Sequence, residues 1–188
     1  MINTHTHNDG RTALHIAAND GYDTTVRLLV KLGVEKESKS NNGGRALHWA
    51  AAMGHDTIVR MLVRDLGLDK EAKDNDGRTA LHVAAKDRHD DMVWLLAGEL
   101  GVDQESKDND GRTALHWAAA KGHDTTVRIL VGALGVNKES RDNDGRTRTP
   151  ESLAGGRTIA IPAAGVLSVR IRISFLRPDI VSSPNPVS

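Results

Sequence analysis

The stretch DGRTALHWAAAKGHDTTVRILV, residues 110–131, decides the architecture, because the chain carries it in four versions. The others are DGRTALHIAANDGYDTTVRLLV from Asp9, GGRALHWAAAMGHDTIVRMLV from Gly43 and DGRTALHVAAKDRHDDMVWLLA from Asp76. Equivalent leucines are Leu14, Leu47, Leu81 and Leu115, so the unit recurs in steps of 33, 34 and 34 residues. A period of that size belongs to a solenoid, in which each unit packs on its neighbours, and not to a compact fold with one central core.

Each unit reads as two short helices. In the quoted copy Thr113 has the oxygen to cap a first helix, and Leu115, Ala118 and Ala119 line one side of it. Gly122 ends that helix, since glycine takes a left-handed conformation without a side-chain clash. Asp124 suits the positive end of a second helix, where Val127, Leu130, Val131 and Leu134 recur at helical spacing up to Gly135. The pairs Ala17 and Ala18, Ala50 and Ala51, Ala84 and Ala85, and Ala118 and Ala119 keep the first helix slim enough for close stacking. Between units, DNDG at 74–77 and 108–111 ends in the Asp-Gly pair that tight hairpin turns prefer.

TALHIA, TALHVA and TALHWA, each followed in register by a Gly-His or equivalent pair and a VxxLL-like run, resemble the TPLHxA signature of ankyrin repeats. The resemblance spans residues 8 to about 141. It implies an all-α solenoid of paired antiparallel helices with β-hairpin fingers, in units of about 8–41, 42–74, 75–108 and 109–142 and a partial unit at 143–154. Arrays of this kind hold other proteins non-covalently. From residue 155 to 188 the composition shifts to an irregular tail with alternating Val169, Ile171, Ile173 and Phe175, which reads as a strand. The partial unit begins at Thr149–Pro150, a good cap and first helical residue, and stops at Gly155 and Gly156. Only seven residues precede Asn8, and no polar capping unit stands ahead of the first repeat.

Three departures weaken individual units. Arg45 stands where other copies have the capping threonine, Arg88 replaces the helix-ending glycine, and Gly98 lies inside a second helix. The last two each cost roughly 1 kcal/mol, which makes the third repeat the weakest interior one.

Lysine plus arginine balances aspartate plus glutamate at 25 each, so nothing draws nucleic acid or an anionic membrane. The chain has no cysteine, which removes thiolate chemistry and fits the cytoplasm without separating it from the nucleus. The N-terminus lacks the basic segment and apolar run of a signal peptide, and no apolar stretch is long enough to span a bilayer. His15, His48, His82 and His116 recur one per unit and are read as local hydrogen-bonding groups, not as converging ligands. His5 and His7 suggest at most an adventitious metal contact. The Asp-Asn-Asp runs read as exposed finger tips; a calcium loop would need a glutamate at its twelfth position. GGRT at 155–158 lacks the lysine of a phosphate-binding loop. No catalytic residue, metal site or cofactor is expected.

What remains is a surface. The resemblance implies partner binding on finger tips and the open side of the first helices, here Asn19, Asp20, Met53, Lys86, Asp87 and Lys121 on helices, with Asn75, Asp76, Arg78, Asn109, Asp110 and Arg112 on fingers. Trp49 and Trp117 are read as packing residues. Trp94 takes the place of Arg27, Arg60 and Arg128 on the outer side of the second helix and is read as exposed. The function expected is a monomeric protein-binding module, with a structural spacer, or a piece of a longer array, as the alternative. Near-identity of the later fingers favours a repetitive ligand or a spacer.

Overall fold

The computed structural model describes residues 8–147; the partial helix after Thr149, the tail, and His5 and His7 lie outside them. Four helix pairs follow one another: α1 (Ala13–Asn19) and α2 (Asp23–Lys31), α3 (Ala46–Met53) and α4 (Asp56–Arg60), α5 (Ala80–Lys86) and α6 (Asp90–Val93), α7 (Ala114–Lys121) and α8 (Asp124–Arg128). Each first helix packs on the next, α1 on α3, α3 on α5 and α5 on α7, forming an inner row with the second helices behind it. The alanine pairs make this row possible: all eight are buried, as are Leu14, Leu47, Leu81 and Leu115.

The first helices start as the sequence predicts. Thr12, Thr79 and Thr113 hold extended backbone and exchange hydrogen bonds with the histidine three residues on, in the reciprocal pattern of a capping box. Arg45 has no acceptor, so in α3 only the histidine half remains, the Arg45 N–H donating to His48 Nδ1 at 3.3 Å. Its guanidinium is instead held by Glu37, with Nε 3.0 Å from Oε2. Gly54 and Gly122 end α3 and α7 at φ +72° and +70°, and Arg88 is forced into the same region at φ +64°.

The second helices differ from expectation. Only α2 is α-helical throughout; α4, α6 and α8 run on as π-helix over Met61–Asp65, Trp94–Glu99 and Ile129–Ala133. The bond that closes α2 spans four residues, Leu32 N–H to Leu28 O at 2.9 Å, whereas Leu66, Leu100 and Leu134 each reach back five, to Met61, Leu95 and Ile129. The cause is an extra residue. From Asp23 to Gly33 there are ten steps, and from Asp56 to Gly67, Asp90 to Gly101 and Asp124 to Gly135 there are eleven. One inserted residue is absorbed by widening a turn, which leaves the apolar face in register.

The fingers are tight turns, and no strand is assigned among the described residues. In the finger at 74–78, Asp74 N–H donates to Arg78 O and Gly77 N–H to Asp74 O, both at 3.0 Å. Asp74 Oδ1 also accepts from the backbone N–H of Asp76 and of Arg78. These bonds close a hairpin-like loop with no strand arms to extend it. The first aspartate of each Asp-Asn-Asp is therefore not a free tip: Asp108 and Asp142 are buried, and the Asp74 side chain is 4% exposed.

Successive fingers are joined. Asn41, Asn75, Asn109 and Asn143 each donate a backbone N–H to the preceding finger and a side-chain amide to the carbonyl of its asparagine. The glycine of the preceding finger must be bare for this: a Cβ on Gly10, Gly43, Gly77 or Gly111 would overlap the incoming asparagine Oδ1, and all four hold φ near +75°. Further rungs repeat along the stack. Lys36 and Lys70 donate to Leu66 O and Leu100 O, and Glu37, Glu71 and Glu105 accept from the backbone N–H of Asp69, Asp103 and Asn137.

Candidate functional site

The side of the inner helices that faces the fingers is lined at one recurring position by Ile16, Trp49, Val83 and Trp117. Ile16 is 37% exposed and the other three are half-buried. Trp49 and Trp117 are thus surface-lining groups and not the core packing expected of them, because the core side of each first helix is already filled by its leucine and alanines. The Arg11 guanidinium stacks over the Trp49 ring at 4.9 Å, and Arg112 over Trp117 at 5.5 Å. Trp117 Nε1–H donates to Asp108 Oδ2 at 2.8 Å. Ser40 replaces that aspartate in the second finger, and the Trp49 N–H has no acceptor there. These contacts join finger bases to helix faces in one surface. The sequence held a signal for it: at this position the repeats vary between isoleucine, tryptophan and valine, while the alanines two steps further on do not vary.

The twelve candidate residues divide by what holds them. Asp20, Met53, Asp87 and Lys121 are exposed, and Met53 at 49% is a large apolar group in water. Asn19 and Lys86 are half-buried; the Asn19 amide donates to Asp20 Oδ1, and the Lys86 ammonium lies 3.4 Å from Asp87. Asn75 and Asn109 are exposed, but their side-chain amides already bind the preceding finger. Asp76 and Asp110 are exposed and pair with Arg78 and Arg112 at 2.8 and 3.0 Å. Arg78 also donates from Nε to Asp74 Oδ2 at 2.9 Å. Neither arginine is a loose cation waiting for a ligand; each clamps its own finger.

Three of the four recurring histidines of the first helices, His15, His48 and His82, are ties between repeats. His15 Nδ1 accepts from the Thr12 backbone N–H at 3.0 Å, which leaves the ring proton on Nε2, and that group donates to Gly44 O at 3.1 Å in the next finger. His48 and His82 reach Arg78 O and Arg112 O in the same way. His116 faces the backbone of Arg146 without closing a hydrogen bond within ordinary limits. Burial holds all four imidazoles below the usual histidine range, and the neighbouring carbonyls pull weakly the other way. A second set, His55, His89 and His123, donates back to Asn19 O, Ala52 O and Lys86 O at the end of the preceding first helix.

On the outer side Trp94 is 37% exposed, as expected, with its ring lying over Gly98. Arg60 is not free there: its guanidinium forms a two-point pair with Glu99, which holds that carboxyl below its usual range. A cavity of about 330 Å³ lined by Gly54, Asp56 and residues 88–92 opens near the turn between α3 and α4. Burial pushes the Asp56 carboxyl up.

A family model described as ankyrin repeats in three copies matches residues 1–74 and 66–142. The chain belongs to the ankyrin-repeat family. A search of curated proteins returns no match. Ankyrin repeats are generally protein-interaction modules and typically not enzymes. Among the described residues no helix is long and apolar enough to cross a membrane, and no group of three or more His, Cys, Asp or Glu side chains is placed to hold a metal ion.

Proposed function

We propose that this ankyrin array holds another protein on the surface shared by its fingers and inner helices, and that it does so in the cytoplasm. The observation that carries the reading is the pair of arginine–tryptophan stacks, which make fingers and helices one continuous face bearing exposed Ile16, Met53 and Lys121 beside half-buried Trp49 and Trp117. Large apolar and aromatic groups ringed by paired charges are what an interface centre requires. Because Arg78 and Arg112 secure their own fingers, the discriminating change is elsewhere: Met53→Glu with Lys121→Glu. Thr125→Glu with Arg128→Glu, on exposed positions of α8, changes net charge by the same amount and serves as the control. Partners captured by the intact chain should be lost from the first double variant and kept by the second, at equal thermal stability. Equal loss from both would leave only bulk charge as the explanation.

A spacer role rests on a different observation. The fingers at 74–78, 108–112 and 142–146 all read DNDGR and use the same bonds to each other. A spacer would capture nothing alone, while a longer product containing it would.

A further inference from the structure

Most charges among the candidate residues of the inner face are paired within their own unit: Asp76 with Arg78, Asp110 with Arg112 and Lys86 with Asp87. Asp20 and Lys121 are left over. Both are exposed; the Asp20 carboxylate accepts from the neutral Asn19 amide at 2.7 Å, and the Lys121 ammonium has no partner among the described residues. They hold the last position before the turn in the first and fourth units, where the second and third carry Met53 and Asp87. Missing neighbours do not account for this. The ion pair in that row, Lys86 with Asp87, lies inside one unit, and among the described residues no member of the row pairs with the unit before or after it. Asp20 and Lys121 are unpaired because Asn19 and Ala120, and not a counter-charge, stand beside them. Between the two ends the second unit presents no charge to the face. Its finger reads SNNGG at 40–44 where the later ones read DNDGR, and Met53, 49% exposed, stands one helical turn from half-buried Trp49.

We infer that the inner face recognises a dipolar segment of its partner, which brings a cationic side chain to Asp20, a bulky apolar one to Met53 and Trp49, and a carboxylate to Lys121. This rests on the inner face being the surface that binds the partner. Charge complementarity selects the occupant, because a ligand of uniform sign is attracted at one end of the row and repelled at the other. Asp20 also lies at the C-terminal end of α1, where a carboxylate opposes the helix dipole and a cation from the partner relieves it. Spacing adds a second constraint. First helices stacked about 10 Å apart set the cation one step from the apolar group and the carboxylate two steps from it. On a helical partner these steps are about 7 and about 14 residues, which keep all three side chains on one side. The steps are unequal, so the charge nearer the apolar residue is the positive one whichever way the partner runs.

Panning a displayed library of helical peptides of about 25 residues against the immobilised full chain tests this, with one central apolar residue fixed and the other outward positions open to lysine, glutamate or alanine. Recovered peptides should carry lysine at the near step and glutamate at the far step. Asp20→Lys and Lys121→Asp should each weaken their binding roughly two- to fivefold at low salt, and less at high salt. The double variant Asp20→Lys with Lys121→Asp keeps the net charge and should recover the opposite order, glutamate near and lysine far. Thermal midpoints should not move, since both positions are exposed. Peptides with charges of one sign, the same order from the doubly reversed chain, or no peptide retained above the bare support would overturn the proposal. Peptides without a charge order that are lost from Met53→Glu with Lys121→Glu would overturn the polarity and leave the inner face as the binding surface. Peptides still held by that variant would overturn both.

Discussion

Arg88 is the residue that sits least comfortably in the array. Among the described residues it alone is a non-glycine at positive φ, at +64°, in a position where Gly21, Gly54 and Gly122 occupy the same turn. A side chain there costs on the order of 1 kcal/mol in backbone strain. Arg88→Gly should therefore raise stability by up to about 1 kcal/mol, a little less after the extra freedom glycine gives the unfolded chain. A denaturation midpoint that falls would show that the arginine side chain contributes contacts outweighing the strain. The sequence alone exposes this site, because three glycines in register make the fourth position an anomaly. It does not expose the clamp made by Arg78, since which carboxylate a flexible side chain grips depends on where the turn places Asp74 and Asp76.

Elements are tied to their neighbours by groups that work in one protonation state, and this gives the stack a pH dependence. The buried imidazoles of His15, His48 and His82 accept at Nδ1 and donate at Nε2, so only the neutral ring serves. Their affinity for protons is lowered in the folded array, chiefly by burial. The unfolded chain, titrating near pH 6.5, then binds more protons than the folded one as pH falls. Stability should be flat above about pH 7 and decline as pH drops through the unfolded value toward the lower folded one. His82→Gln should lower stability at neutral pH and flatten that decline by up to about one proton. A midpoint independent of pH between roughly 7 and 5 would contradict the neutral tie. The second helices invite a different test. Deleting Asp65, an exposed residue of the π segment after α4, should restore the ten-step spacing of the first repeat and leave a folded chain with stability changed by no more than about 1 kcal/mol. Unfolding on deletion would mean that the wide turn is itself required. The signal for these turns was present in the change of step from 33 to 34 residues, but the step does not say where the extra residue goes.

Across the whole molecule, stability comes from contacts between adjacent units, so the ends should not govern the middle. Ending the chain after Ala154 should leave the helical signal and the main unfolding transition of the four repeats nearly unchanged; loss of the third and fourth repeats on truncation would show that they depend on the tail. The repeated sequence by itself determined the number of units, the two helices in each, the glycine and threonine that bound them, and the alanines that let them stack. Those features depend on spacing along one chain and on local backbone preference, which a sequence carries directly. The tertiary structure decided which faces remained open. It set Trp49 and Trp117 beside finger arginines, engaged the candidate asparagines in the finger ladder, withdrew the first aspartate of each finger into the turn, and left Leu28 uncovered at one end. The reason is that exposure and pairing are properties of a residue's neighbours in space: Leu28 and Met61 hold the same place in the repeat, and only the presence of a preceding repeat makes one of them core and the other surface.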